Sequence, residues 1–273
     1  MIDAHFHLWN PARGDYGWMP KDNPVLARPY RLDDACTEFD VSGIDRAVLV
    51  QAAPSIEETE YMLGIADSSE RIAAVVGWID FENVDHRHHL ERFAAHDRFR
   101  SVRPMVQDIP DDDWILRPDI RWAFDALIDL DLAFDALGFP RHISRFMRLF
   151  REYPDLRVVI DHGFKPEIAA AEFEDWAAGM NKLANETSAV CKLSGLVTEA
   201  GQDHGDEVLR PYVRHLLEVF GSDRLMWGSD WPVCRLKCEY ANWNRQATRL
   251  TASVPETAKD RIFDGTARAF YRI

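Results

Sequence analysis

Eight short apolar runs recur along this chain at a fairly even pitch, each followed by a longer amphipathic segment. The runs are Ile2–Ala4, Arg46–Gln51, Ile72–Ile79, Phe99–Met105, Leu130–Leu137, Arg157–Asp161, Ala189–Ser194 and Arg224–Gly228. They are rich in Val, Ile, Leu and Ala with little polar alternation, which suits strands buried on both faces of a parallel sheet. Between them, apolar residues return at helical spacing, as in Ile56–Asp67, His88–Ala95, Ile120–Asp129, Ile143–Tyr153, Ile168–Leu183 and Glu207–Phe220. Eight strand–helix units in 273 residues match the arithmetic of a TIM-like (β/α)8 barrel, an α/β fold forming one domain over residues 1–273. A doubly wound open sheet is the alternative, but no G-x-G-x-x-G turn follows the first run, which weighs against its dinucleotide-binding form. The stretch 11–32, rich in Pro, Gly, Asp and aromatics, reads as a long loop after the first strand.

The net charge of -14, from 32 basic and 46 acidic residues, disfavours nucleic acid and anionic membrane as partners. It leaves a small-molecule substrate open, because a small ligand meets only the local field. No apolar run approaches the roughly 18 residues of a membrane span. No basic segment leads into an apolar one at the N-terminus, so no secretory signal is expected. Four cysteines, Cys36, Cys191, Cys234 and Cys238, are then expected as free thiols in a reducing cytoplasm. Oligomeric state is not legible.

In such a barrel the chemistry lies where strands end at their C-terminal side. The first run leads into His5 and His7, two apart and so on one face of a strand, with apolar Phe6, Leu8 and Trp9 around them. Adjacent buried imidazoles are costly unless they hold a proton, a metal or a substrate oxygen. Later strand ends supply Gln51, Trp78, Asp80, Arg103, Asp135, Asp161-His162 with Lys165, Ser194, and Ser229-Asp230-Trp231. A bland reading exists for each. Asp230 could cap a helix before Trp231-Pro232, Arg103 or Asp135 could pair inside the barrel, and Lys192 could point outward between helices. Asp85–His89, with three histidines, reads as the opening of a solvated helix capped near Asn83, and His142 sits at a loop–helix junction.

The stretches IDAHFHLWN, DYGWM, VLVQAA, VRPMVQDIPDDDWIL, VIDHGFKP, CKLSGL and WGSDWPV follow in order along almost the whole chain. Together they resemble the amidohydrolase superfamily, and within it the lactonase branch that includes L-fucono-, L-rhamnono- and 2-pyrone-4,6-dicarboxylate lactonases. The resemblance implies a hydrolase that opens an aldono- or aldarolactone, such as L-fucono-1,5-lactone, by water attack on the ester carbonyl. It aligns His5 and His7 with the first-strand pair, His162 with the sixth-strand histidine, Asp230 with the eighth-strand aspartate and Arg103 with a substrate-binding arginine. Lys165 stands where the dicarboxylate lactonase has arginine, which favours a sugar lactone. Asp230 is then the expected general base, with His5, His7 and His162 around the carbonyl. Arg103, Lys165 and Gln51 are expected on the substrate's polar groups, and Trp9, Trp78 and Trp231 on its apolar faces. Metal-dependent relatives add a lysine, glutamate or histidine on strands four and five, where this chain has Arg103 and Asp135, so no two-metal centre is expected. The branch is expected to need no cofactor, while a single Zn2+ on His5, His7 and Asp230 stays open. A sugar-lactone isomerase and a metal-dependent amidohydrolase or decarboxylase are the rival functions.

Overall fold

A computed structural model describes residues 1–273. Its strands are β1 (Ile2–Phe6), β2 (Arg46–Val50), β3 (Ile72–Gly77), β4 (Phe99–Val102), β5 (Ala133–Ala136), β6 (Arg157–Ile160), β7 (Val190–Leu193) and β8 (Leu225–Trp227). They lie in one sheet in chain order, each parallel to the next. The helices are α1 (Leu32–Ser42), α2 (Ile56–Asp67), α3 (Arg87–Ala94), α4 (Arg121–Asp129), α5 (Ile143–Glu152) and α6 (Glu174–Glu186). They continue as α7 (Leu196–Glu199), α8 (Asp206–Phe220), α9 (Tyr240–Leu250), α10 (Glu256–Asp260) and α11 (Thr266–Tyr271). This is the TIM-like barrel expected from the alternation of runs.

Closure between the last and first strands is made just beyond β8. Phe6 pairs in parallel with Trp231, His7 N donates to the Trp231 carbonyl at 2.7 Å, and Asp230 N donates to the His5 carbonyl at 2.8 Å. The two ends of the sequence are therefore stitched together at the residues that carry His5, His7 and Asp230. Gly228 permits the approach: a Cβ there would lie 2.7 Å from His5 Cβ and 3.0 Å from His5 N. Gly228→Ala is expected to push β1 off β8 and to cost about 1–3 kcal/mol. Denaturant unfolding checks this, and an unshifted midpoint would show that the seam tolerates a methyl group.

A bulge sets the direction of the first-strand side chains. From Asp3 to Phe6, β1 advances three residues while β2 advances two, from Ala47 to Leu49. One extra residue re-aims the side chains beyond it. Ile2 and Ala4 pack inside the barrel with Val48, Val50, Val76 and Val159, whereas Phe6 packs outward on Phe39 of α1. Asp3 also points outward, accepting from Tyr240 of α9 at 2.9 Å and from Ser229 N at 2.8 Å. Helix α11 plugs the bottom of the barrel: Ala267, Phe270 and Tyr271 belong to the same interior cluster as Ile2 and Ala4.

Some runs are shorter as strands than the sequence suggested. Strand β4 stops before Arg103-Pro104, because proline has no N–H for the ladder, and β5 starts only after Asp131, whose φ is 55°. The helical pattern over Ile168–Leu183 is divided in two: a single turn at Ile168–Ala170 ends on Ala171 in the left-handed region, and α6 begins at Glu174. No helix is long and apolar enough to cross a membrane, and all four cysteines are free.

Candidate active site

Asp230 Oδ1 is the point on which three imidazoles converge. It lies 3.3 Å from His7 Nε2, 3.8 Å from His5 Nε2 and 3.9 Å from His162 Nε2. The residues come from the ends of β1, β6 and β8. Two of them hold their side chains in place by an unusual backbone, since His162 and Asp230 both have φ of 55°. For residues other than glycine that conformation costs about 1–2 kcal/mol each, and such strain collects at functional sites where the surroundings enforce it. The run from His162 to Lys165 is left-handed throughout, which turns both His162 and Lys165 into the barrel mouth.

The protons can be placed. His7 Nδ1 is 2.7 Å from the Val50 carbonyl, which only accepts, so Nδ1 carries the proton and Nε2 presents a lone pair. Lys192 Nζ, which only donates, is 3.1 Å from His5 Nδ1. Of the two cations at its nitrogens, Lys192 is nearer Nδ1 than Arg103 Nη1 is to Nε2, at 3.4 Å, so neutral His5 holds its proton on Nε2, 3.1 Å from His7 Nε2. His162 Nδ1 meets the Ser194 hydroxyl at 2.8 Å, leaving Nε2 toward Asp230. A chain thus runs from Lys192 through His5 to His7 and the β2 backbone, beside the carboxylate.

Beneath it lies a buried ionic layer. Lys192 Nζ donates to Asp135 Oδ2 at 2.5 Å and lies 2.9 Å from Asp161 Oδ1. Asp135 also accepts from Ser101 at 2.6 Å and from Tyr271 at 2.8 Å. Arg103 donates to the Gln51 carbonyl and to Asp161 Oδ2 at 3.3 Å, with Nη1 3.4 Å from His5 Nε2. Burial, aided by the nearby charge of Lys192, holds His5 well below the ordinary histidine value. Burial also lowers His7, and it lowers His162 to about 4. Burial alone would raise Asp161, but Lys192, His5 and Arg103 outweigh it and hold the carboxyl well below its usual range. Burial alone would raise Asp230, and the imidazoles of His162, His7 and His5 pull its carboxyl down while they carry charge.

The site opens into a cavity of about 330 Å3 lined by His7, Trp9, Arg103, His162, Lys165 and Asp230 among others. Residues singled out from the sequence take different places. Trp9 lines the cavity, its indole N–H tied to the carbonyls of Leu26 and Arg28 and its ring stacked near His7. Gln51 is fully buried behind Arg103, donating to the Arg103 carbonyl at 2.7 Å, and does not line the cavity. Trp231 is buried edge-on to Tyr30, and Trp78 faces a neighbouring cavity. Lys192, whose facing the sequence left open, lies at the centre of the barrel with no exposure, between the carboxylates of Asp135 and Asp161. Asp135, Asp161 and Ser194, also noted at strand ends, complete this layer beneath the cavity and do not line it. His142 sits apart, fixing a loop through Phe139 N and Asp112, and Asp85–His89 opens α3 behind a cap by Asn83.

The whole chain, residues 2–273, matches the family model described as Amidohydrolase. This chain belongs to the amidohydrolase family. Two curated relatives of this amidohydrolase carry the name L-fucono-1,5-lactonase. One, from Burkholderia ambifaria, is 42% identical over 100% of this chain and 95% of its own length. The other, from Burkholderia multivorans, is 31% identical over 100% of this chain and 96% of its own. A crystal structure of a Burkholderia multivorans amidohydrolase with bound Zn superposes with a TM-score of 0.92 at 31% identity, covering 100% of this chain and 99% of that one.

The zinc in that relative asks whether this site could hold one. The ligand atoms of His5, His7 and Asp230 all lie within 4.8 Å of one another. With Zn–N near 2.0–2.1 Å, tetrahedral ligands sit about 3.3 Å apart, close to the 3.1, 3.3 and 3.8 Å found between these atoms. Two imidazoles and a carboxylate are a zinc donor set, and His7 already has the carbonyl partner that orients a metal-binding ring. His5 would release Nε2 by turning its proton to Nδ1, toward Asp161 Oδ1 at 3.4 Å, with the Lys192 ammonium then turning its protons from that nitrogen to Asp135 and Asp161. The residues fit the metal.

Proposed function

We propose that this protein is a sugar lactonase, adding water across the ester carbonyl of an aldono- or aldarolactone. The observation that carries the reading is the convergence of three imidazoles on one buried carboxylate, in a cavity lined by Arg103 and Lys165. The full-length similarity to two L-fucono-1,5-lactonases supports a deoxyhexonolactone of that kind as substrate.

Asp230 takes the proton from water as the water attacks. Its proton affinity is lowest when the imidazoles are charged. Above about pH 4 His162 is neutral, and the buried carboxylate then regains basicity. The oxyanion that develops on the carbonyl faces Arg103 and the histidine cluster, whose positions are fixed before the substrate arrives. Asp230 then returns its proton to the ring oxygen as the C–O bond breaks. Lys165 and Arg103 hold hydroxyls of the substrate and the new carboxylate. A zinc ion on His5, His7 and Asp230 would supply Lewis-acid polarisation of the carbonyl. The fixed positive charges of Arg103 and Lys192 already stand on either side of His5, so the residues alone can stabilise the oxyanion.

A pH-indicator assay over a panel of aldono- and aldarolactones, with and without exhaustive chelation, tests this. L-fucono-1,5-lactone is expected to open with gain of one water in product mass, and chelated enzyme is expected to keep at least about half its kcat/KM, a change below about 0.5 kcal/mol. Unchanged product mass would mean an isomerase. Activity lost on chelation and restored by Zn2+ or Mn2+ would make the metal essential.

The pH profile has a definite sign. His162 is neutral above about 4, so kcat/KM is expected to hold level from about pH 5 upward and to fall below about 4 as the ring takes a proton. A decline already complete at pH 6 would show that a different group controls the acid limb.

A further inference from the structure

Beside the catalytic cavity lies a second one of about 750 Å3, formed by the long loop after β1 and the loops after β2, β3 and β4. The two cavities meet at Trp18, Met105 and Asp108, which line both. The inner space is at the small end of ligand sites, which run about 300–1,000 Å3. The outer one is more than twice as large, and the proposed reaction uses none of it.

Its walls have a definite chemistry. Trp18 and Trp78 supply aromatic surface, while Phe81 and Trp114, both buried, reach the cavity with little exposed area. Trp78 is held firmly by its backbone, since Thr59 Oγ1 accepts from its N–H at 2.9 Å and donates to its carbonyl at 3.1 Å. Trp18 is 37% exposed and is pinned by its indole N–H on the Ala52 carbonyl at 2.6 Å. Five carboxylates stand around these rings, Asp15, Asp80, Glu82, Asp108 and Asp111, of which Asp15 is paired with Arg13 and Glu82 with Arg117. The single cation, Arg117, is already paired with Glu82 and Asp119. Electron-rich faces pack well on the C–H faces of a sugar ring, and carboxylates accept from hydroxyl or ammonium groups. The three outside ion pairs, Asp80, Asp108 and Asp111, repel an acidic occupant.

We propose that this outer cavity is a second sugar subsite, and that the preferred substrate is a lactone bearing a further neutral or amino sugar ring. The proposal rests on the lactonase reading. The lactone ring would occupy the inner cavity at Asp230, and the attached ring would pass Trp18 and Met105 to lie among the outer tryptophans. A uronic acid substituent would be excluded by charge.

The test compares L-fucono-1,5-lactone with the same lactone carrying a glucosyl or glucosaminyl ring at O-3 or O-4. Wild-type enzyme, Gly17→Trp and Ile109→Trp are assayed on each. Both positions line only the outer cavity, and a Cβ at Gly17 meets nothing within 4 Å. At least one glycosylated lactone is expected to exceed the bare lactone in kcat/KM by roughly tenfold, the yield of one well-stacked ring. The two variants are expected to abolish that advantage while leaving the bare lactone within about twofold. The proposal falls if every glycosylated lactone is opened no faster than the bare one, or if the variants slow both alike. If no lactone is opened at all, it is the lactonase reading that fails. Saturation-transfer NMR with methyl β-glucoside and methyl β-glucosaminide then judges the subsite separately. Saturable transfer that disappears in Gly17→Trp supports it, and no transfer to wild type overturns it.

Discussion

Asp230→Asn is expected to lower kcat on the responsive lactone at least ~100-fold, the low end for removing a general base, with the fold intact. The substitution is nearly isosteric and takes away the negative charge and with it the capacity to accept a proton. The backbone at this position is left-handed, with φ of 55°, a conformation that asparagine adopts more readily than most residues. The seam bond from the residue 230 N–H to the His5 carbonyl does not involve the side chain and survives. Loss of activity with an unchanged unfolding midpoint therefore isolates the carboxylate. The three imidazoles and Arg103 remain in the variant, so residual turnover measures what oxyanion stabilisation achieves without the base. Activity within a few-fold of wild type would remove Asp230 from the proton-transfer role.

The barrel was legible because its strands are buried on both faces, and such strands write themselves as uninterrupted apolar runs. Positions near strand ends came from the same pattern, which is why His5, His7, His162 and Asp230 could be singled out before their distances were known. The parts that stayed hidden have two causes. A polar residue inside an apolar run faces either the barrel centre or the helices, and alternation should decide between them. Strand β1 breaks that alternation with a bulge, and β7 is only four residues long, so the facing of Lys192 could not be read. The aromatic residues failed to sort for a different reason. Trp9, Trp78 and Trp231 all follow strand ends, yet one lines the inner cavity, one the outer cavity and one packs on Tyr30. Loop conformation makes that division, and no periodicity encodes it.

Lys192→Met is expected to be the most destabilising single change near the site, by about 3–5 kcal/mol, because it leaves buried charge without its counter-ion. Methionine matches the length of the lysine stem, so the cavity term is small. The carboxylates suffer unequally. Asp135 keeps Ser101 and Tyr271, while Asp161 retains Arg103 on Oδ2 and loses the ammonium beside Oδ1. Asp135 already has its pKa raised by burial, with Lys192 the main group pulling it down. Removing the ammonium raises it further. A carboxyl whose folded pKa exceeds its unfolded value contributes stability that is present at low pH and lost as pH rises through the folded value. The deficit of Lys192→Met is therefore expected to be larger at pH 8 than at pH 5, and the added substitution Asp135→Asn is expected to return part of it. Denaturant unfolding of the single and double variants at both pH values checks the sign; a deficit below about 1 kcal/mol, the value of an exposed ion pair, would contradict the buried layer. The same substitution frees His5 Nδ1 to donate to Asp161, which turns a lone pair rather than a proton toward His7. Turnover should then fall even in the double variant that has regained stability, separating the part Lys192 plays in holding the barrel from its part in orienting His5.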